Sequence, residues 1–155
     1  MPRITEQVLI QHRASDLFDL VKDVRTYPKF IKWIERLEVS HERAEPQHYH
    51  CLGDVTVRFK GFQERFSTFV DAHPLSQRID VRLHRGPFRR LRNRWLFEER
   101  GAGVTRVHFY LDYAFENPAL RLLAKTSSRV AAIKIIEAFS KEADRRYAAP
   151  PVQDI

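Results

Sequence analysis

At 155 residues the chain suits one domain, expected over 1–148 with a short tail at 149–155, and a core large enough to fold alone. No apolar run approaches the roughly 18 residues that a membrane-spanning helix needs, and Met1-Pro2-Arg3 leads into a strand-like alternation rather than a signal peptide. A single Cys51 excludes an internal disulfide and fits a reducing compartment, while a net charge of +7 calls for an anionic partner surface, phospholipid headgroups or nucleic acid.

Ile4, Glu6, Val8 and Ile10 alternate with Thr5, Gln7 and Leu9, the pattern of a half-buried strand. Ser15 is placed to N-cap the next element, with Asp16 favourable in its first turn. Leu17, Phe18, Leu20, Val21 and Val24 give a helical apolar stripe. It stops at Tyr27-Pro28, because proline disfavours the α conformation in the residue before it. A second short helical turn is expected through Phe30–Trp33.

From about residue 36 to about 115 the period is two. Val55, Val57 and Phe59 share a face, as do Phe62, Phe66, Thr68 and Val70. Ile79, Val81 and Leu83 form the next row, Trp95 and Phe97 another, and Val107, Phe109, Leu111, Tyr113 and Phe115 the longest. Breaks at Gly53, Gly61, His73-Pro74, Gly86-Pro87 and Gly101-Ala102-Gly103 divide the region into about six strands. Such alternation predicts an antiparallel sheet with one apolar and one wet face.

Pro118 opens a last helix expected to reach about Tyr147. Its apolar face runs through Leu120, Leu123, Ala124, Val130 and Ala131, then through Ala132, Ile135, Ile136, Phe139, Ala143 and Tyr147. At roughly 100° per residue the two stripes are offset by about a third of a turn. Either the helix curves over a twisted sheet, or its first half is a lid with a separate surface contact. The fold class that follows is α+β.

Tyr27-Pro28-Lys29-Phe30-Ile31-Lys32-Trp33 resembles the Tyr-Pro-x-Phe-x-x-Trp signature of the coenzyme Q-binding protein family, a branch of the START-like (polyketide cyclase/lipid transport) superfamily. The likeness continues through Phe66-Ser67-Thr68, Gly86-Pro87-Phe88, Trp95, Phe97, Tyr113-Ala114-Phe115 and Ala138-Phe139, in order and over nearly the whole chain. One departure is Lys32-Trp33-Ile34, where relatives usually carry Pro-Trp-Cys. The resemblance implies a helix-grip fold: a curved antiparallel sheet of about seven strands wrapping the C-terminal helix, with two short helices after the first strand and a pocket between sheet and last helix.

It further implies a non-catalytic protein that needs no cofactor and holds ubiquinone or a similar isoprenoid lipid. Such a protein would work at the cytoplasmic face of an inner membrane, in bacterial respiration or ubiquinone biosynthesis and delivery. A similar bacterial branch, a ribosome association toxin, implies the large ribosomal subunit as the alternative partner. Neither branch implies DNA. The residues expected at the ligand are Phe30, Trp33, Phe59, Phe62, Phe66, Val81, Leu83, Trp95, Phe97, Val107, Phe109, Leu111, Tyr113, Leu123 and Val130. The same inward aromatics would equally suit a solid core, and Tyr27, Phe30 and Trp33 would equally suit packing on the sheet edge.

Arg82, Arg85, Arg89, Arg90, Arg92 and Arg94 form a basic run. It reads as a solvated face, as an anionic-lipid surface worth about 1 kcal/mol per basic residue, or as an RNA-backbone contact. No catalytic motif appears: there is no Gly-x-Ser-x-Gly, phosphate loop or Gly-x-Gly-x-x-Gly. Asp54 beside Gly53 reads as a turn aspartate rather than a cavity acid. His48 and His50 should share a strand face with Cys51 pointing away, a poor three-ligand set, so no metal is expected.

Overall fold

The period-two region folds as expected, with six strands following one another through hairpins. The computed structural model of the chain describes residues 3–59 and 61–147; the side chains at 59, 62, 120 and 122–128 lie outside that description. The elements are β1 (Arg3–Ile10), α1 (Ala14–Lys22), a single 3₁₀ turn (Val24–Thr26), α2 (Tyr27–Phe30), β2 (Ile34–Glu45), β3 (His48–Phe59), β4 (Phe62–His73), β5 (Arg78–Arg85), β6 (Phe88–Glu99), β7 (Thr105–Phe115) and α3 (Pro118–Arg146). Every strand pair is antiparallel, and the order β1-β7-β6-β5-β4-β3-β2 sets the first strand beside the last. Register shifts in β2, at Ser67/Thr68 and at Phe88/Arg90 bend the strands locally, as bulges do. The result is a curved sheet gripping α3.

The inner face buries Val55, Val70, Ile79, Trp95, Phe97, Val107, Phe109 and Leu111, matching the alternation. Against it lie Leu17, Phe18, Leu20 and Val21 of α1, and Ala132, Ile136, Phe139 and Ala143 of α3. The second α3 stripe is therefore docked on the sheet. Of the first stripe, Val130 is 53% exposed, and Leu120, Leu123 and Ala124 fall outside the described side chains. At the far end of α3, His12 Nε2 lies 2.7 Å from Asp144 Oδ1, tying the turn after β1 to the helix.

Three local expectations change. The helical turn expected through Phe30–Trp33 lies earlier: α2 ends at Phe30 and Ile31 is extended (φ −106°, ψ 102°). Ser15 sits inside α1 and does not cap it; the residue at the cap, Arg13, makes no side-chain capping bond. Instead the Ala14 amide donates to Glu99 Oε2 at 3.2 Å, so the end of β6 supplies the acceptor. Tyr27-Pro28 also starts a helix rather than ending one. The first helix already stops at Lys22, where Asp23 leaves helical geometry (φ −82°, ψ 72°), and Pro28 falls in the first turn of α2, where its missing N–H is not needed. Tyr27 holds a helical backbone against the pre-proline bias (φ −53°, ψ −44°). Its ring packs edge-on to Phe139 at 5.0 Å and its hydroxyl donates to the Val21 carbonyl, which fixes it there.

Candidate functional site

Between the inner sheet face and α3 lies a cavity of about 210 Å³. Its floor comes from Val55, Val70, Trp95, Phe109 and Leu111; α3 contributes Ile135 and Phe139, and the β1–β2 connection contributes Val24, Tyr27, Ile31 and Trp33. The remaining wall is aliphatic or aromatic except for Thr68 and Asn93. Asn93 is already committed: its Nδ2 donates to the Tyr110 carbonyl at 2.9 Å and its Oδ1 accepts from Trp95 Nε1 at 2.9 Å. Thr68 presents a hydroxyl on the wall.

Of the residues expected at a ligand, Trp33, Phe66, Val81, Trp95, Phe109 and Leu111 line the cavity. The others that can be placed do not. Phe30 packs on Phe139 at 5.2 Å. Phe97 turns to Phe18 of α1 at 6.4 Å. Val107 is 1% exposed within the solid core. Tyr113 meets Phe115 edge-on at 5.7 Å. Leu83 is half-buried against the core, and Val130 faces solvent. Phe59, Phe62 and Leu123 fall outside the described side chains. The common cause is that inward parity does not decide whether a side chain borders space: α1 fills one end of the sheet's concave face and leaves the other open. Parity does place Leu91 and Asn93 beside Trp95, and Ile135 and Phe139 were on the helix stripe.

No carboxylate, histidine, lysine or thiol appears among the described lining residues. Tyr27 is the one ionisable group among the described lining residues, and burial, with Cys51 and Asp23 adding to it, pushes its phenol far above the usual range. It stays protonated and is not a proton-transfer group. Cys51 is fully buried, and burial raises its thiol pKa, so it is not an activated nucleophile. Asp54 lies within β3 rather than in a turn. The Arg65 guanidinium, bidentate at 3.0 and 2.8 Å, holds its carboxyl below the usual range.

The arginine run divides. Arg94 donates to Asp80 Oδ1 at 2.7 Å and Arg90 to the buried Asp112 Oδ1 at 3.0 Å, so both are neutralised. Arg82, Arg85, Arg89 and Arg92 are exposed and show no ion pair among the described residues. Arg82 and Arg92 face each other across β5 and β6, a like-charge pair that destabilises a sheet without a counter-ion. Arg82 rests on the Phe69 ring at 4.5 Å. Through the pairings Ile34↔Val57, Phe59↔Phe62, Ser67↔Arg85 and Phe88↔Phe115, one end of the sheet gathers Trp33, Arg85, Arg89 and the start of α3. Lys29 and Lys32 are exposed in the segment leading to Trp33.

On the opposite, wet face, His48, His50 and Asp71 bring one ligand atom each within 4.8 Å of one another. Burial pushes the Asp71 carboxyl up, but hydrogen bonds from His50 and His48 pull it net below its usual range. Cys51 points inward as expected; the third member instead comes from β4, where Asp71 pairs with His50.

The family described as polyketide cyclase/dehydrase and lipid transport matches residues 10–140. The chain belongs to that family. It is 31% identical over 141 residues to the mitochondrial coenzyme Q-binding protein coq10 of Schizosaccharomyces pombe, covering 90% of this chain and 85% of the relative. It is 27% identical over 149 residues to the ribosome association toxin RatA of Escherichia coli, covering 96% and 91%. A START superfamily protein from Mycobacterium smegmatis shares the fold, with a TM-score of 0.79 over 94% of this chain and 99% of that one, at 18% identity. The family's description spans cyclases and lipid carriers alike, so the chemistry of this member rests on its own cavity. No helix among the described residues is long and apolar enough to cross a membrane.

Proposed function

We propose that the chain is a non-catalytic carrier of ubiquinone or a similar isoprenoid lipid, serving respiratory electron transport or ubiquinone delivery from the cytoplasmic face of an inner membrane. The observation that carries this reading is the cavity wall, which among the described residues is apolar but for Thr68 and Asn93 and offers no carboxylate, histidine, lysine or thiol. Such a wall binds by area, at about 25 cal/mol per Å² of apolar surface buried. The 31% identity to a coenzyme Q-binding protein supports the ligand class. At about 210 Å³ the cavity falls below the roughly 300–1,000 Å³ of pockets that enclose drug-sized ligands. It therefore takes one end of the molecule, with the Thr68 hydroxyl, which has no hydrogen-bond partner among the described residues, donating to a quinone carbonyl. The rest of the tail leaves past the first half of α3. Trp33 with Lys29 and Lys32, and Arg85 with Arg89, bring that end of the sheet to anionic lipid, where tryptophan favours the interface.

A second reading is favoured by Arg82, Arg85, Arg89 and Arg92, exposed and without an ion pair among the described residues: binding to the large ribosomal subunit, in keeping with the 27% identity to RatA. Both readings predict binding that weakens steeply with salt. Co-sedimentation of the protein with phosphatidylglycerol vesicles and, in parallel, with large ribosomal subunits separates them. The carrier reading predicts vesicle binding that Arg85→Glu with Arg89→Glu removes. Tight subunit binding with no vesicle binding and no quinone uptake would replace it with the ribosomal reading.

A further inference from the structure

The His48–His50–Asp71 group lies on the convex face of the sheet, away from the cavity and from the proposed carrier role. His48 Nε2 and His50 Nδ1 each lie 2.7 Å from the same oxygen, Asp71 Oδ1. Three features make this more than a chance surface cluster. The cross-strand pairing of His50 with Asp71 sets two of the groups by backbone register, and His48, two residues from His50 on β3, projects to the same side. All three are partly sequestered, with side chains 40%, 20% and 20% exposed. Stacking also fixes the two rings, His48 parallel to His73 at 4.9 Å and 4°, and His50 on Phe69 at 5.7 Å.

The carboxylate at the site is opposed across β4 and β5 by a second one, since Asp71 pairs with Asp80. Arg78 and Arg94 on the same face are both engaged by Asp80, at 2.9 and 2.7 Å, Arg43, opposite His50 on β2, lies 3.9 Å from Glu45, and Arg82 is held over the Phe69 ring at 4.5 Å. Asp71 is left to the two imidazoles alone. Two imidazoles and one carboxylate, presented on rigid strands, are the donor set of borderline transition ions rather than of magnesium or calcium, which prefer all-oxygen shells.

We propose that His48, His50 and Asp71 form a three-ligand site for a divalent zinc-class cation, with its remaining coordination position open to water. The ion replaces the protons now directed at Asp71. Each imidazole shifts its proton to its other nitrogen if neutral, or releases it to solvent if charged, and then donates a lone pair to the metal. Tetrahedral bonds of about 2.0–2.2 Å set ligand atoms roughly 3.3–3.6 Å apart, so each imidazole must draw back from Asp71 Oδ1, now 2.7 Å away, while the three atoms stay within their present 4.8 Å spread. The sequence hid the site because Asp71 lies 21 residues from His50 and joins it only through strand register.

The test is isothermal titration of the full chain, stripped with chelator, using zinc chloride and, separately, magnesium chloride. The account expects one zinc per chain and no magnesium binding. Loss of an outer-sphere partner weakens metal sites about 10–100-fold, so His50→Ala and the shape-conserving Asp71→Asn should weaken zinc at least about tenfold, while His108→Ala leaves it unchanged. Histidine ring nitrogen signals of the unmodified chain, followed by NMR, give an independent readout should a variant fail to fold. Shifts confined to His48 and His50 at one equivalent support the site. Absence of zinc binding, affinity unchanged in Asp71→Asn, or shifts elsewhere would overturn it.

Discussion

Gly86 shows how one residue shapes the cavity from the outside. A Cβ at this position would lie 2.4 Å from Phe66 Cβ and 3.2 Å from its Cα, and the backbone φ of +149° is one that L side chains rarely adopt. Phe66 lines the cavity and meets Phe88 edge-on at 5.1 Å. Gly86→Ala must therefore push Phe66 inward or open the β5–β6 hairpin. Overpacking of this kind typically destabilises by about 1–3 kcal/mol. Thermal unfolding should show the loss, and ligand uptake should fall with it; an unshifted melting temperature would mean that Phe66 does not hold this position. Gly86-Pro87-Phe88 stood out in the sequence as a break and as part of a resemblance, but its reason is a contact with a residue two strands earlier. Phe97 and Val107 carry the opposite lesson. Their inward parity was legible, yet they face α1 and the solid core rather than the cavity.

The helices were legible in their periodicity and less so at their ends. Stripes made of Leu17, Phe18, Leu20 and Val21, or of Ala132, Ile136, Phe139 and Ala143, depend only on helical spacing. Caps depend on what arrives from elsewhere. Ser15 has the right chemistry, but the Ala14 amide finds Glu99, and Thr105 Oγ1 donates to the same Glu99 oxygen at 3.0 Å. Glu99→Ala should lower stability by about 0.5–2 kcal/mol, the range for lost caps, and Ser15→Ala by far less. Urea unfolding of the two variants would reveal the opposite ranking if Ser15 were the cap. At the other end of α3, Arg145 donates to Glu142 at 2.9 and 2.6 Å, and Arg146 at 2.5 Å. The Arg145 guanidinium, with Arg146, holds the Glu142 carboxyl at about 2, below its ordinary 4.5. A depressed carboxyl stabilises the fold above its unfolded pKa, and that contribution drains away as pH falls from about 4.5 to about 2. Unfolding measured across this window should steepen with acid in the unmodified chain and flatten in Glu142→Gln; parallel curves would deny Glu142 this role.

For the molecule as a whole, the alternation specified an antiparallel sheet because one face is wet and the other dry. Nothing in the alternation states that β1 joins β7, or that α1 fills one end of the concave face and leaves space at the other. That asymmetry gives the cavity, and the strand pairings put Trp33, Arg85, Arg89 and the start of α3 at one end of the sheet. A site for one end of an apolar ligand, beside a basic rim suited to lipid headgroups, is the physical content of the carrier proposal. Its most direct test is organic extraction of the protein, purified from a quinone-rich host, followed by mass spectrometry and quinone absorbance. Leu111→Arg serves as the comparison, since it sets an unpaired charge on the cavity wall. The account predicts an isoprenoid quinone from the unmodified chain, lost in a folded Leu111→Arg protein. An extract free of quinone, together with no uptake from quinone-loaded vesicles, would contradict it.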